Sequence, residues 1–288
     1  MLRLAWRNVW RNLRRSLINA AAMGFGLAAI MFGQSLIMSL QAQLVEKSTG
    51  SITGHVQVQR KDVEENKFPD KYLSKPDETI RLLEKDPRVK VAAQRIHLTG
   101  LVSSPAASVG ALVCAVEPEK ERLITSMSGY ISSGTYLVGH PKGIVMGTKL
   151  ASRLDARLGE KVVVMAQAAD GSMGAEAFRI VGIHHTGSES FDGQIVWVQL
   201  SAAQELLARP GQANHIAARL HDLADAEAVR ADLQKALSPD LRALSWRDID
   251  HEIVGVQAFQ NAILQIVLFV VFAIVALGIL NTQLMSLF

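Results

Sequence analysis

A single cysteine, Cys114, stands in 288 residues, so no intramolecular disulfide can form and a small disulfide-stapled secreted scaffold is excluded. Aromatic residues are scarce at 6%, and charged ones amount to only 20%. The first fifteen residues contain no acid, yet hold Arg3, Arg7, Arg11, Arg14 and Arg15. Taking those five charges from the formal net charge of +3 leaves −2 for the remainder. The isoelectric point near 9.0 therefore belongs to the N-terminal tip. It does not signal a basic nucleic-acid-binding surface, and no nucleic-acid partner is expected. A hydrophobic content of 49% excludes intrinsic disorder.

What is present in quantity is apolar sequence at the two ends. Leu17–Leu40 runs without a formal charge, and so does Phe259–Phe288. A helix over the first run is roughly 36 Å long, enough to cross a hydrocarbon core of about 30 Å with some tilt. A cleaved signal peptide explains the first run poorly, because its apolar part is too long and no small-residue cleavage site follows. A buried core helix explains the second poorly, because its uncharged length is excessive. Both runs are expected to be transmembrane helices. The arginine-rich N-terminus should then stay in the cytoplasm. The opposite membrane face sees Glu46 and Lys47 after the first run and Asp248, Asp250 and Glu252 before the second. The intervening body is expected outside the cytoplasm, in the periplasm of a Gram-negative cell.

Leu2, Trp6, Val9, Trp10 and Leu13 form one helical stripe, and the five arginines take the other face. Arg3, Trp6, Arg7, Trp10, Arg11, Arg14 and Arg15 are therefore expected to lie at the membrane interface, on the lipid bilayer; packing on a cytoplasmic partner is the alternative. Inside the first run, Ala20, Gly24 and Ala28 recur every fourth residue, and Gly33 extends the small residues along a neighbouring face. Such a stripe allows close helix approach, so these four are expected to pack on another helix. Gln34 and Gln265 are expected to hydrogen-bond between helices.

Between the runs, strands are expected at Gly54–Gln59, Val89–Gln94, Leu98–Ser103, Val109–Val116, Gly143–Gly147, Ile195–Val198 and His215–Leu220. A hairpin is expected across Lys161–Gln167 and Ala177–Ile183, turning in Asp170–Gly174. Helices are expected from Lys75-Pro76 to before Asp86-Pro87, over Thr148–Leu158, from the capping box Ser201/Gln204, over Ala224–Leu237, and from Asp248 into the second run. Glu117–Arg122 interrupts the pattern, and Ser126–Gly139 reads as loop. The fold class is thus a membrane protein with two transmembrane helices bracketing a mixed α+β domain, which would divide near Gly139–Gly143 if it has two lobes. The expected boundaries are 1–16 for the interfacial helix, 17–40 for the first span, 41–258 for the body and 259–288 for the second span.

No phosphate-binding loop, nucleophile elbow or zinc-helix motif occurs. His184-His185 is the most tempting pair, but adjacent strand residues point to opposite faces and no carboxylate or cysteine sits at ligand spacing. Cys114, in an apolar strand, reads as core packing. No catalytic, cofactor-binding or metal-binding residue is expected, and no cofactor.

Several stretches carry a likeness. Arg7-Asn8-Val9-Trp10-Arg11-Asn12-Leu13-Arg14-Arg15-Ser16, ahead of an apolar run, resembles the start of the ABC transporter permeases grouped with MacB and with the lipoprotein-releasing LolC and LolE. Val116-Glu117-Pro118-Glu119-Lys120-Glu121 is similar to their G-x-D-P-x-x-E stretch, with Val and Glu in the place of the usual Gly and Asp. Gly147-Thr148-Lys149-Leu150-Ala151 and Leu158-Gly159-Glu160-Lys161-Val162 resemble a further paired element. Phe178–Ile183, Thr186-Gly187, Asp192, Val196, Val198, Leu200 and Ala203–Leu207 match the lipoprotein-releasing branch better than the efflux branch. Asn281-Thr282, Met285-Ser286 and Phe288 resemble the inner end of the family's second helix.

The resemblance implies a MacB-like periplasmic core and a permease that is not itself an enzyme. It would work with a cytoplasmic ABC ATPase subunit and a second permease copy or paralogue. In the lipoprotein-releasing branch it would extract lipoproteins from the outer leaflet of the inner membrane and pass them to a periplasmic carrier. The alternatives are efflux of peptides, toxins or macrolides with an adaptor and an outer-membrane channel, or a membrane-tethered sensor or assembly role without transport. The resemblance also implies that an ATPase-coupling segment would begin at about Phe288.

Overall fold

Long uncharged runs form helices because, in hydrocarbon, only internal hydrogen bonding satisfies the backbone. In the computed structural model, which describes residues 13–61, 72–73, 75–168 and 171–287, the first run lies in helix α1, Leu13–Ser48. The second lies in the terminal helix His251–Leu287. Within them, Gly24–Gln41 and Ile253–Gly278 are long and apolar enough to cross a membrane, and neither window is buried within the structure. The chain divides into two compact units. One comprises Met1–Glu46 with Asp250–Phe288, and the other is the body, Lys47–Ile249.

The body opens with a π-helical turn, Thr49–Thr53, followed by β1, Val56–Arg60. Then come α2, Pro76–Glu84, and β2, Val89–Ser103. After an excursion of more than a hundred residues the chain returns as β9, His215–Leu220, then the helix Ala226–Ala236 and β10, Leu241–Ser245. These strands lie in the order β10-β1-β9-β2, all neighbours antiparallel. That is the ferredoxin-like β-α-β-β-α-β arrangement, opened between its second and third strands.

The inserted residues form the other lobe. It contains β3 (Ser108–Val116), α3 (Pro118–Ile124), β4 (Ile131–Gly134), β5 (Gly143–Gly147), α4 (Thr148–Arg153), β6 (Lys161–Gln167) and β7 (Met173–His184). It is completed by α5 (Glu189–Gln194), β8 (Ile195–Gln199) and α6 (Leu200–Leu206), so the later helices are α7 (Ala226–Ala236), α8 (Trp246–Ile249) and α9 (His251–Leu287). Here β2 pairs β3, β3 pairs β8, β8 pairs β5, β5 pairs β7, and β7 pairs β6. β6 then closes onto the far end of β2 through Leu101–Met165, Val102–Val164 and Ser103–Val163. The ring is a six-stranded barrel. Alternation along β6 turns Val162, Val164 and Ala166 inward, where they join Leu98, Val113, Phe178 and Val196 in one cluster. Leu150 of α4 and Leu206 of α6 complete it.

Several expectations are corrected. Val89–Gln94 and Leu98–Ser103 are one strand, whose first half belongs to the ferredoxin-like lobe and whose second half belongs to the barrel. The division is therefore a nested insertion rather than a cut near Gly139–Gly143. Glu117–Arg122 is not an interruption: Pro118 sits at the first turn of α3, where its missing N–H costs nothing. Ser126–Gly139 is not all loop, since it holds β4. The helix expected to reach Leu158 stops at Arg153. Asp155 takes φ 46°, and the amides of Asp155 and Ala156 bond back to Ser152 and Ala151, closing a Schellman motif. The capping box at Ser201 does not form: α6 starts at Leu200, and the Gln204 amide bonds Gln212 O instead. The second hairpin strand begins at Met173, earlier than Ala177. The edge strand β10 is covered by the side chain of Gln234 on α7, which accepts from Ala243 N at 3.0 Å and donates to Leu241 O at 3.2 Å.

Candidate functional site

Three constellations carry the chemistry of the described residues. The first is the pair of apolar helices, taken within their own unit. Gln41 on α1 donates to Gln260 at 3.2 Å and to Asn261 at 3.3 Å on α9, so the interhelical polar contact falls there and not at Gln34 or Gln265. A side chain at Gly26 would meet Val271 of α9 at 3.9 Å, whereas Gly24 and Gly33 have open space beside them. Gly24 and Ala28 are exposed, and Gly33 is half-buried. Gly24 and Gly33 of the stripe read from the sequence thus have no neighbour on the partner helix of the same chain within 4 Å of where a Cβ would stand. Arg3, Trp6, Arg7, Trp10 and Arg11 lie outside the described residues. Arg14 is exposed, Arg15 is in α1, and the surroundings of Arg15 and Ala20 are likewise outside them.

The second constellation is where the chain enters and leaves the body. His55 N donates to Ala218 O at 2.9 Å, and Trp246 N donates to His55 O at 3.1 Å. The His55 ring accepts from Leu220 N at 3.2 Å. One buried histidine therefore ties the entering segment, the central strand β9 and the leaving segment. Beside it, the Arg95 guanidinium on β2 pairs with Glu121 on α3 through Nε–Oε2 at 2.9 Å and Nη2–Oε1 at 2.7 Å. Both side chains have no solvent exposure. Thr125 Oγ1 donates to the same carboxylate at 2.9 Å, and Arg95 Nη1 donates to Ile52 O. Between β2 and β9, the His97 and His215 rings lie 4.7 Å apart. Burial pushes both imidazoles down, His215 to about 4, with the Arg95 charge acting in the same direction.

The third corrects the reading of His184-His185. A carboxylate does sit beside them: Asp192, eight and seven residues on, buried in α5. Its oxygens lie 3.3 Å from His184 Nδ1 and 3.0 Å from His185 Nδ1. They also accept from Thr186 N at 2.9 Å and Thr186 Oγ1 at 2.8 Å. Strand alternation fails at this point because β7 ends at His184. Burial alone would raise the Asp192 carboxyl, but the Thr186 amide and hydroxyl and the neighbouring His184 hold it below its usual range. Burial lowers His184, and Asp192 only partly opposes this. Among the described residues no group of three or more His, Cys, Asp or Glu is arranged to hold a metal ion. The cluster anchors the Thr186–Ser188 loop. Cys114 is fully buried on β3, its thiol pushed up to about 12 by burial, as its apolar context implied.

Residues 16–236 match the family profile of the MacB-like periplasmic core domain. The chain belongs to that family. It is thereby a component of an ABC-type transporter permease of the inner membrane, a class whose domains are not themselves enzymes. Among solved structures it is similar to the extracellular domain of the noncanonical ABC-type transporter YknZ from Gram-positive bacteria. The identity is 11%, with 67% of this chain and 100% of that one covered at a TM-score of 0.46. It is also similar to the periplasmic region of MacB from Actinobacillus actinomycetemcomitans, at 11% identity, 72% and 94% coverage and a TM-score of 0.47. In this MacB-like body, the Pro118–Glu121 stretch that prompted the resemblance supplies the carboxylate that pairs with Arg95. Sequence reasoning missed that pair, and its only signal was a glutamate following an otherwise apolar strand.

Proposed function

We propose that the chain is a permease subunit that couples ATP hydrolysis in a separate cytoplasmic ATPase to motion of its periplasmic body. In this reading Gly24–Gln41 and Ile253–Gly278 cross the inner membrane, and the N-terminus is cytoplasmic. Arg3, Trp6, Arg7, Trp10, Arg11, Arg14 and Arg15 lie on the inner headgroups. The division is the one read from sequence, with an interfacial helix over 1–16, spans over 17–40 and 259–288, and the body between. The stripe of Ala20, Gly24, Ala28 and Gly33 receives a helix other than α9, from a second permease copy or paralogue. The observation that carries the proposal is the splice itself: two uncharged helices lead into and out of one MacB-like body whose entering and leaving segments are joined at His55. A pull on either helix is delivered to the same point of the sheet.

For the cargo, the Phe178–Leu207 run favours the lipoprotein-releasing reading, with lateral entry of an acylated protein from the outer leaflet and delivery to a soluble carrier. Uncharged spans suit a lipid-facing substrate better than a polar conduit. Efflux with an adaptor and an outer-membrane channel is the competing reading. Reporter fusions at residues 12 and 150 test the topology, with alkaline phosphatase active at 150 only; activity at 12 refutes it. Affinity capture of the full-length protein from native membranes should bring down an ABC ATPase together with a periplasmic lipoprotein carrier. Capture of an adaptor and an outer-membrane channel instead would select the efflux reading.

A further inference from the structure

We infer that Arg95 and Glu121 clamp the end of the first apolar helix to the central sheet and act as positioning residues for the coupling proposed above, a reading on which this inference rests. Helix α1 continues directly into the π-helical turn Thr49–Thr53, so a displaced helix end reaches that turn first. π-Helical segments are rare and concentrate at functional positions. The turn is closed on itself by Gly54 N to Thr49 O at 2.9 Å, Gln57 Nε2 of β1 donates to Thr53 O at 2.7 Å, and contacts from the sheet and from the residues after α3 hold it as well. Ser126 N donates to Gly50 O at 2.6 Å, and Arg95 Nη1 donates to Ile52 O. Contact at Gly50 is close enough that a Cβ there would stand 3.1 Å from Ser126 Oγ.

Arg95 connects this turn to everything behind it. Its Cα is in β2, which belongs to both lobes, and its remaining nitrogens hold Glu121 of α3, the helix that leads to Ser126. Stability is a poor reason for such a pair, since well-packed apolar residues of similar volume would serve as well or better in a dry core. No apolar residue, however, can hold a carboxylate and a backbone carbonyl in two directions at once, which the rigid guanidinium fork does. The energetic outlay makes sense as geometry: turn, strand and helix are locked into one piece. Motion passes through packed elements that do not slip.

The test is a disulfide across the clamp. Cβ atoms at positions 50 and 126 would be 3.9 Å apart, within disulfide range, and the native Cys114 is buried. In the full-length protein in native membranes, the pair G50C/S126C should oxidise nearly completely. Adding R95M/E121L, which removes both charges together, should lower the yield about threefold while the body stays protease-resistant. Where the double variant does not fold, E121Q is read the same way, since it keeps the side-chain volume and one acceptor oxygen. Yield equal to the native background in a folded variant overturns the clamp.

For coupling, ATP hydrolysis by the co-purified ATPase is measured in proteoliposomes. The oxidised G50C/S126C protein should keep permease-dependent stimulation, R95M/E121L should lose roughly fivefold, and oxidising the disulfide in that variant should restore it. Because a disulfide also stabilises the folded state, rescue supports the positioning role where R95M/E121L keeps the native melting temperature before oxidation. Loss of stimulation on oxidation of the native background, or full stimulation without the clamp, overturns the positioning role. No stimulation even by the native chain overturns the permease reading, and the cross-linking yields then decide the clamp alone.

Discussion

Replacing Asp192 by Ala should be among the most damaging single changes to the barrel lobe. The carboxylate is 2% exposed, accepts from Thr186 N and Thr186 Oγ1 at 2.9 and 2.8 Å, and lies 3.0 Å from His185 Nδ1. Hydrogen bonds to a charged group contribute about 1.5–3 kcal/mol each in net terms. Thr186 is half-buried, so water recovers part of what its donors lose, and the expected total is about 3 kcal/mol rather than the simple sum. With a urea dependence of roughly 2 kcal/mol per molar for a body of this size, the midpoint should fall by about 1.5 M. Urea titration of the segment Lys47–Ile249, followed by fluorescence of the fully buried Trp197, reads this directly. Acid supplies the second arm. The folded carboxyl titrates below its ordinary 3.8, so its contribution is complete above that value and is lost as pH falls through the folded pKa. The gap between native protein and D192A should hold steady from about pH 7 to pH 5 and narrow below about pH 4. A loss under about 1 kcal/mol, or a gap that widens in acid, would refute the assignment of Asp192 as the anchor of this loop.

Gly147→Ala would place a Cβ 2.1 Å from Asp192 O and 2.5 Å from its carbonyl carbon, backbone atoms with nowhere to move. It should cost about 3 kcal/mol or more in thermal melts, while Gly110→Ala, with open space around it, should stay within about 1 kcal/mol. His215, neutral when folded with a pKa of about 4 against 6.5, makes the unfolded chain the better proton binder between those values. Stability should therefore be full above about pH 6.5 and fall by about 3 kcal/mol on approach to pH 4. His215→Phe should flatten that slope, and a slope identical to the native protein's would exclude the histidine pair as its source.

Much of the body was legible because strand alternation and apolar periodicity are local. The strands at Lys161–Gln167 and His215–Leu220 stand where the pattern placed them. Helix ends were read less well. The early stop at Asp155 depends on a left-handed residue other than glycine, which composition does not advertise. The unformed capping box at Ser201 lost to a bond between Gln204 and Gln212 that closes the other end of the same helix.

The sequence by itself determined that two uncharged runs flank a polar-faced α+β body, that no disulfide braces it, and that Cys114 is packing. Only the tertiary structure decided that the second lobe is inserted into the first, that β6 closes a barrel on β2, and that Asp192 faces two histidines. It also decided that Arg95 lies beside Glu121, twenty-six residues away, with both side chains fully buried. The physical reason is the range of the forces involved. Hydrophobic patterning is written every two or four residues along the chain, whereas the cost of burying a charge, and the partner that offsets it, exist only once distant segments have met.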